Sequence, residues 1–183
     1  MHHTPAGSTG PPRLPCTDVT ATARIPVDGP TAEVWGRTDA VGFLTAWTTG
    51  EVPQGQHAEH TGNRLVQVVG PGSLVFSWLP GPQLSNLSGA VHGGYLALVC
   101  DEAAGIAAAS TGPRFIPMLT LDLDVVFLRA GLVGVEHRVE GTVLHGGRTR
   151  TVAEARVLDP QGRLVATARG SFVANRSFSP GSG

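Results

Sequence analysis

Apolar and polar positions alternate along this chain with two different periods. In DAVGFLTAWTTG (39–50), Val41, Phe43, Leu44 and Trp47 recur at helical spacing, and Gly50 is placed to end the helix. EVPQGQHAEHTG (51–62) has no period and reads as a loop. NRLVQVVG and GSLVFSWLP then read as strands, with Gly70-Pro71-Gly72 turning the chain between them. A second loop, 81–90, precedes a long apolar run that opens on His92-Gly93-Gly94 and reads as one helix to about Ser110, where Thr111-Gly112-Pro113 stops it. In MLTLDLDVVFLRA, Leu119, Leu121, Leu123, Val125 and Phe127 alternate with Thr120, Asp122 and Asp124, a period of two that predicts a strand with one apolar face. LVGVEHRVEGTVL, RTRTVAEARVLD and GRLVATARGSFV predict three more strands, joined through His145-Gly146-Gly147 and Asp159-Pro160-Gln161-Gly162. The order is helix, two strands, long helix, four strands. It predicts an α+β domain in which one antiparallel sheet packs on one long helix. That helix is apolar nearly all round, so something besides its own sheet should cover it, which points to a dimer.

Residues 1–38 are rich in Pro, Gly, Thr and Ala and are expected to form a flexible tail, with only DVTATARIPV offering a short strand. Residues 39–174 form the expected domain, and 175–183 a second flexible tail. The 183 residues are 41% hydrophobic and 15% charged, enough for one ordinary core. All 13 basic residues are arginine, yet the net charge is only −1, which argues against nucleic-acid binding. Cys16 and Cys100 are the only cysteines and no zinc spacing occurs; a disulfide framework is not expected, in keeping with a reducing cytoplasm. No signal-peptide pattern or bilayer-length apolar run is present, so neither secretion nor membrane insertion is expected.

Two acids, Asp101 and Glu102, interrupt the long apolar helix. At 100° per residue, Asp101 shares a face with Gly94, Ala97, Leu98, Ala104, Gly105 and Ala108, where small side chains leave room for a ligand or a backbone. Glu102 shares the bulkier side with Tyr95, Leu98, Val99 and Ile106. Asp101 is therefore the acid with space before it. Pairing with an arginine, such as Arg129 or Arg148, is the competing reading. Gly93 and Gly94 open the helix, where free N–H groups and the helix dipole can hold an oxygen as it gains negative charge. HGG alone carries little weight, because its copy at 145–147 lies between strands and reads as a turn.

With these pieces in place, NLSGAVHGGYLALVCDEAAGIAA resembles the phenylacetate-type (PaaI-like) acyl-CoA thioesterases of the hotdog superfamily. It has an Asn and a Gly ahead of the His, the HGG, and an acid nine residues after that His. The resemblance extends over about 40–174. It implies a hotdog fold, a curved antiparallel sheet wrapped around the helix, with homodimers pairing edge to edge and commonly forming homotetramers. It implies hydrolysis of an acyl-CoA to free acid and CoA: the Gly93/Gly94 end binds the thioester carbonyl, and water or Asp101 of the neighbouring subunit attacks. Asn86 and His92 match residues that position substrate or water. No cofactor or metal is implied. Arg129, at a strand end, and Arg148, beside Gly147, are candidates for the coenzyme A phosphates, since arginine suits forked phosphate contacts. Gly105 stands where some relatives carry a hydroxyl one turn after the acid, Ala130 replaces a common proline, and Glu102 is a possible substitute acid. His57, His60 and His137 have no evident partners, and Trp35, Trp47 and Trp78 read as packing anchors. Other outcomes on this scaffold are a carrier-protein thioesterase, a dehydratase-like enzyme or a non-catalytic acyl binder.

Overall fold

The computed structural model describes residues 29–178. The strand suggested in DVTATARIPV, Cys16 and residues 179–183 lie outside them. The elements are α1 (Gly29–Arg37), α2 (Ala40–Thr49), α3 (Gln56–Thr61), β1 (Asn63–Gly70), β2 (Ser73–Trp78), α4 (Gly93–Ala109), β3 (Met118–Phe127), β4 (His137–Gly146), β5 (Thr151–Leu158) and β6 (Leu164–Ala174), with a single 3₁₀ turn at Pro82–Leu84. The strands form one antiparallel sheet in the order β1-β2-β4-β5-β6-β3. The seventeen-residue α4 lies across it, touching β4, β5, β3 and β6. This is the sheet-on-helix arrangement that the pattern predicts, and the hotdog fold that the resemblance implies.

The helix sits very close to the sheet because facing side chains are small. Ala103, Ala104 and Ala107 of α4 and Ala153 and Ala155 of β5 are all fully buried. At Gly141 of β4 a Cβ would lie 2.1 Å from the Ala103 carbonyl oxygen, so glycine is required there. Larger groups fill the β1–β2 side: Leu65 of β1, the strand on which α2 packs, and Leu74, Phe76 and Trp78 of β2 are buried in one core with Val139. Each such side chain contributes about 1.5–3 kcal/mol relative to exposure. Trp78 donates from Nε1 to the Thr61 carbonyl (2.9 Å) and lies against His137, whose imidazole burial pushes to a lower pKa.

Three expectations need correction. Where a tail to residue 38 is expected, residues 29–37 form α1, which buries Val34 in the core and donates from Trp35 Nε1 to the Phe115 carbonyl (2.6 Å). Arg114 fastens it by donating to the Trp35 carbonyl (2.8 Å), and Phe178 packs edge-on against Trp35, so 175–178 are docked as well. Within the expected loop 51–62, α3 forms between Gly55 and Gly62, both at positive φ; a Cβ on Gly62 would lie 2.3 Å from the Leu79 carbonyl oxygen. Finally, β3 does not keep a strict period of two. A bulge between Thr120 and Asp122 lets Thr120 and Leu123 both face the helix side, and it leaves Leu119 and Leu121 exposed.

Candidate active site

The first turn of α4 is built by the loop before it. The Leu84 carbonyl accepts from His92 N–H (2.9 Å), and Gly131 accepts from Val91 (2.9 Å). Asn86 shapes the connection: its Oδ1 accepts from Ser88 N–H (2.8 Å) and Ala90 N–H (3.3 Å), and its backbone N–H donates to the Ala90 carbonyl (2.7 Å). That leaves the amide Nδ2 of Asn86 for other partners. Ser85, Asn86, Leu87, Ser88 and His92 line one open cleft.

His92 is the N-cap of α4, with extended backbone (φ −64°, ψ 135°), and its Nδ1 accepts from Gly94 N–H at 3.0 Å. The accepting role puts the ring proton on Nε2. This divides the glycine pair. Gly94 N–H serves its own cap, whereas Gly93 N–H has no acceptor among the described residues. A Cβ on Gly93 would lie 3.5 Å from the Phe127 ring, an ordinary contact. Of the two glycines expected to hold an oxyanion, Gly93 is the one with a donor to give.

Asp101 lies half-buried on the face toward β3. Its Oδ1 accepts from the Thr120 hydroxyl (2.9 Å). Burial raises its carboxyl above the ordinary range; the Thr120 bond opposes this and the Glu102 charge adds to it. The arginine pairing does not form: Arg129 donates to the Leu164 carbonyl (2.6 Å), and no arginine among the described residues reaches Asp101. The hydroxyl beside Asp101 thus comes from Thr120 of β3 and not from position 105. The sequence gives no clue to it because the bulge sets its direction. Gly105 instead packs on Phe172.

Glu102 is engaged elsewhere. Its two oxygens meet His57 Nε2 of α3 (2.7 Å) and Asn63 Nδ2 of β1 (2.8 Å). The bond to Glu102 raises the His57 imidazole above its ordinary value, against burial. So His57 has a partner after all, one that lies 45 residues away in sequence. Cys100, beside Asp101, is wholly buried, and burial pushes its thiol up to about 12, which leaves it unreactive.

The second HGG is a turn: Gly147 N–H donates to the Arg150 carbonyl (2.9 Å), and a Cβ there would come within 2.7 Å of that oxygen. Gly147, Arg148, Arg150 and Arg176 line a cleft against Phe172 and Ala174, in which Arg150 pairs with Asp122 (2.6 Å). Arg129 is not part of that cleft. No group of three His, Cys, Asp or Glu side chains among the described residues is placed to hold a metal, and no described helix is long and apolar enough to cross a membrane.

The fold has counterparts among known proteins. A family model described as the thioesterase superfamily matches residues 88–166, from the loop before α4 into β6. A conserved protein of Pseudomonas aeruginosa is 31% identical over 66% of this chain and 94% of its own, with a TM-score of 0.60. The PaaI protein of the E. coli phenylacetic acid degradation operon superposes with a TM-score of 0.63 at 22% identity, over 72% of this chain and 92% of its own. A hypothetical thioesterase of Streptococcus pneumoniae, solved with coenzyme A, is 27% identical over 60% of this chain and 86% of its own, with a TM-score of 0.55. No curated protein matches the chain by sequence. The chain belongs to the hotdog-fold thioesterase superfamily.

Proposed function

We propose that the protein hydrolyses an acyl-CoA thioester to a free acid and CoA at a site shared between two copies of the chain. One observation carries this reading: α4 presents an unused N–H at Gly93 and a half-buried, hydroxyl-bonded carboxylate at Asp101, eight residues and about 12 Å apart along one helix. The two are too far apart to act on one carbonyl from the same helix. A second copy resolves this. β3 is an edge strand, and around it Leu98, Leu121, Val126, Phe127, Leu128 and Leu132 are exposed, an apolar surface that a partner would cover.

In the mechanism, the thioester oxygen lies at Gly93 N–H on the positive end of α4. Asp101 of the other copy takes a proton from a water that attacks the carbonyl carbon. The oxyanion is held by the Gly93 amide, an interaction worth about 10²–10³ in rate. The C–S bond then breaks, and the proton on Asp101 passes to the departing thiolate. Direct attack by Asp101, followed by hydrolysis of the anhydride, gives the same products. Thr120 orients the carboxylate, and Asn86 Nδ2 and His92 Nε2–H offer donors at the cleft beside Gly93. The S. pneumoniae thioesterase has been solved with an aspartate and with a threonine replaced by alanine, the same residue types that pair here. Arg148 and Arg176 supply charge for the phosphates of CoA.

Thiol release from short, long and aromatic acyl-CoAs and from acylated carrier protein tests the reading. Release from CoA thioesters is expected. Release from carrier protein alone moves the donor assignment, and thermal stabilisation by acyl-CoA without release refutes hydrolysis.

A further inference from the structure

Glu102 is the residue that the proposed reaction leaves unused, and it is held more firmly than a spare acid needs to be. Asn63, fully buried, donates to one of its oxygens at 2.8 Å, and His57 meets the other at 2.7 Å. These partners come from β1 and α3, so three elements converge on one carboxylate whose side chain is only 13% exposed. On α4, Glu102 follows Asp101 directly and precedes Ala103, Ala104 and Gly105. We propose that Glu102, clamped by Asn63 and His57, is a positioning residue that keeps a fixed charge beside Asp101, so that His57 and Glu102 together tune Asp101 as a base.

The proposal rests on the reading of Asp101 as the reacting carboxylate. Few other charges complicate it. On α4, the Cys100 thiol stays neutral. β3 turns Thr120 toward Asp101, while Asp122 and Asp124 point to the opposite face of the sheet from Leu123 and Val125, and Asp122 is paired with Arg150. β5 and β6 meet the helix with Ala153, Ala155, Gly170 and Phe172, none of them ionisable, and β4 meets it with Val139, Gly141 and Val143; of the charged or titratable groups of β4, His137 lies against Trp78, and Glu140 is paired with Arg138 and Arg156. On α3, Glu59 and His60 are exposed and form no ion pair, and Arg64 of β1 is exposed on the other side of the strand from Asn63. The charges that matter are thus a carboxylate next in the chain to Asp101 and an imidazolium that compensates it.

The sign follows from these positions. The hydrogen bond to Glu102 raises the His57 pKa and so favours the imidazolium beside that carboxylate. Removing Glu102 takes a negative charge from beside Asp101 and makes it easier to ionise. Removing His57 leaves Glu102 uncompensated and makes Asp101 harder to ionise. Two charges on the order of 6 Å apart shift a titration by roughly half a pH unit at the dielectric of water and by up to about two at the lower effective dielectric near a protein surface.

The test is a ¹³C titration of the Asp101 carboxyl, assigned with Asp101→Asn, in the full chain and in its Glu102→Gln and His57→Gln variants, alongside the acid limb of kcat/KM. Glu102→Gln is expected to move the Asp101 midpoint and the acid limb down by roughly half to two pH units, and His57→Gln to move both up. Loss of packing would not move them in opposite directions. Midpoints that stay put, or that move the same way in both variants, overturn the tuning. The site reading fails separately, if Asp101→Asn keeps full turnover whatever the titration shows. His57→Gln alters a half-exposed side chain, so that variant retains the fold.

Discussion

Gly141→Ala measures how closely α4 must approach its sheet. The added Cβ would stand 2.1 Å from the Ala103 carbonyl oxygen and 2.6 Å from its carbon, where ordinary contact begins at 3.4 Å. The obstruction is backbone on both sides, so no rotamer relieves it. α4 has to lift by about 1.3 Å, the difference between 3.4 and 2.1 Å. Its neighbours there, Ala103, Ala104, Ala107 and Ala155, are wholly buried and have no slack. Overpacking of this kind costs about 1–3 kcal/mol, and a backbone clash belongs at the upper end; the entropic benefit of replacing glycine returns about 0.4–1 kcal/mol. The expected net loss is about 2 kcal/mol, or roughly 4–8 °C in Tm for a domain of this size. Gly146→Ala is the control: it ends the same strand, and a Cβ there meets nothing within 4 Å. Urea denaturation monitored by circular dichroism measures both. If Gly141→Ala and Gly146→Ala unfold at the same midpoint as the parent, the helix is not held at the distance described here.

Other consequences can be measured with the same protein. Thr120→Val keeps the shape but removes the hydroxyl bonded to Asp101; kcat should fall roughly 10–10²-fold, since a hydrogen bond to a charged group is worth about 1.5–3 kcal/mol, while Thr120→Ser retains most activity. An unchanged kcat in Thr120→Val would remove Thr120 from the site. Asp101→Asn should raise Tm at pH 7 more than at pH 4. The reason is that a carboxyl whose pKa is raised by folding favours its protonated form, so its stabilising contribution is complete below the unfolded pKa and is lost as pH rises through the folded one. An equal Tm difference at the two pH values contradicts the burial of Asp101. Arg148→Ala should raise KM for acyl-CoA several-fold and leave kcat in place; a fall in kcat with KM unchanged would put Arg148 outside the phosphate subsite.

The long elements were legible because their apolar residues repeat often enough to define a face. Eight buried residues of α4 and the alternating Val139, Ala153, Ala155 and Val157 belong to that signal, and the hairpin turn at Pro71-Gly72 was marked by its residue types. α1 and α3 were not legible. Their apolar burial rests on Val34 and Ala58 respectively, too few positions to show a period, and partners such as Phe115 are distant in sequence. Chemistry followed the same division. Asp101 was separable from Glu102 by its helix face, because both lie on one regular element. Thr120 was hidden by a bulge whose position depends on pairing with β6, and Asn63 and His57 by the tertiary path that brings β1 and α3 to α4. The split between Gly93 and Gly94 depends on the His92 side chain turning back onto its own helix.

The most direct test of the account is the hydrolysis rate of Asp101→Asn. Asparagine keeps the shape at Asp101 and can still bond to Thr120, but it neither accepts a proton from water nor attacks a carbonyl. With an acyl-CoA that the parent turns over, the account predicts that kcat falls roughly 10²–10⁴-fold, with the fold and assembly intact. Turnover equal to the parent's would contradict it.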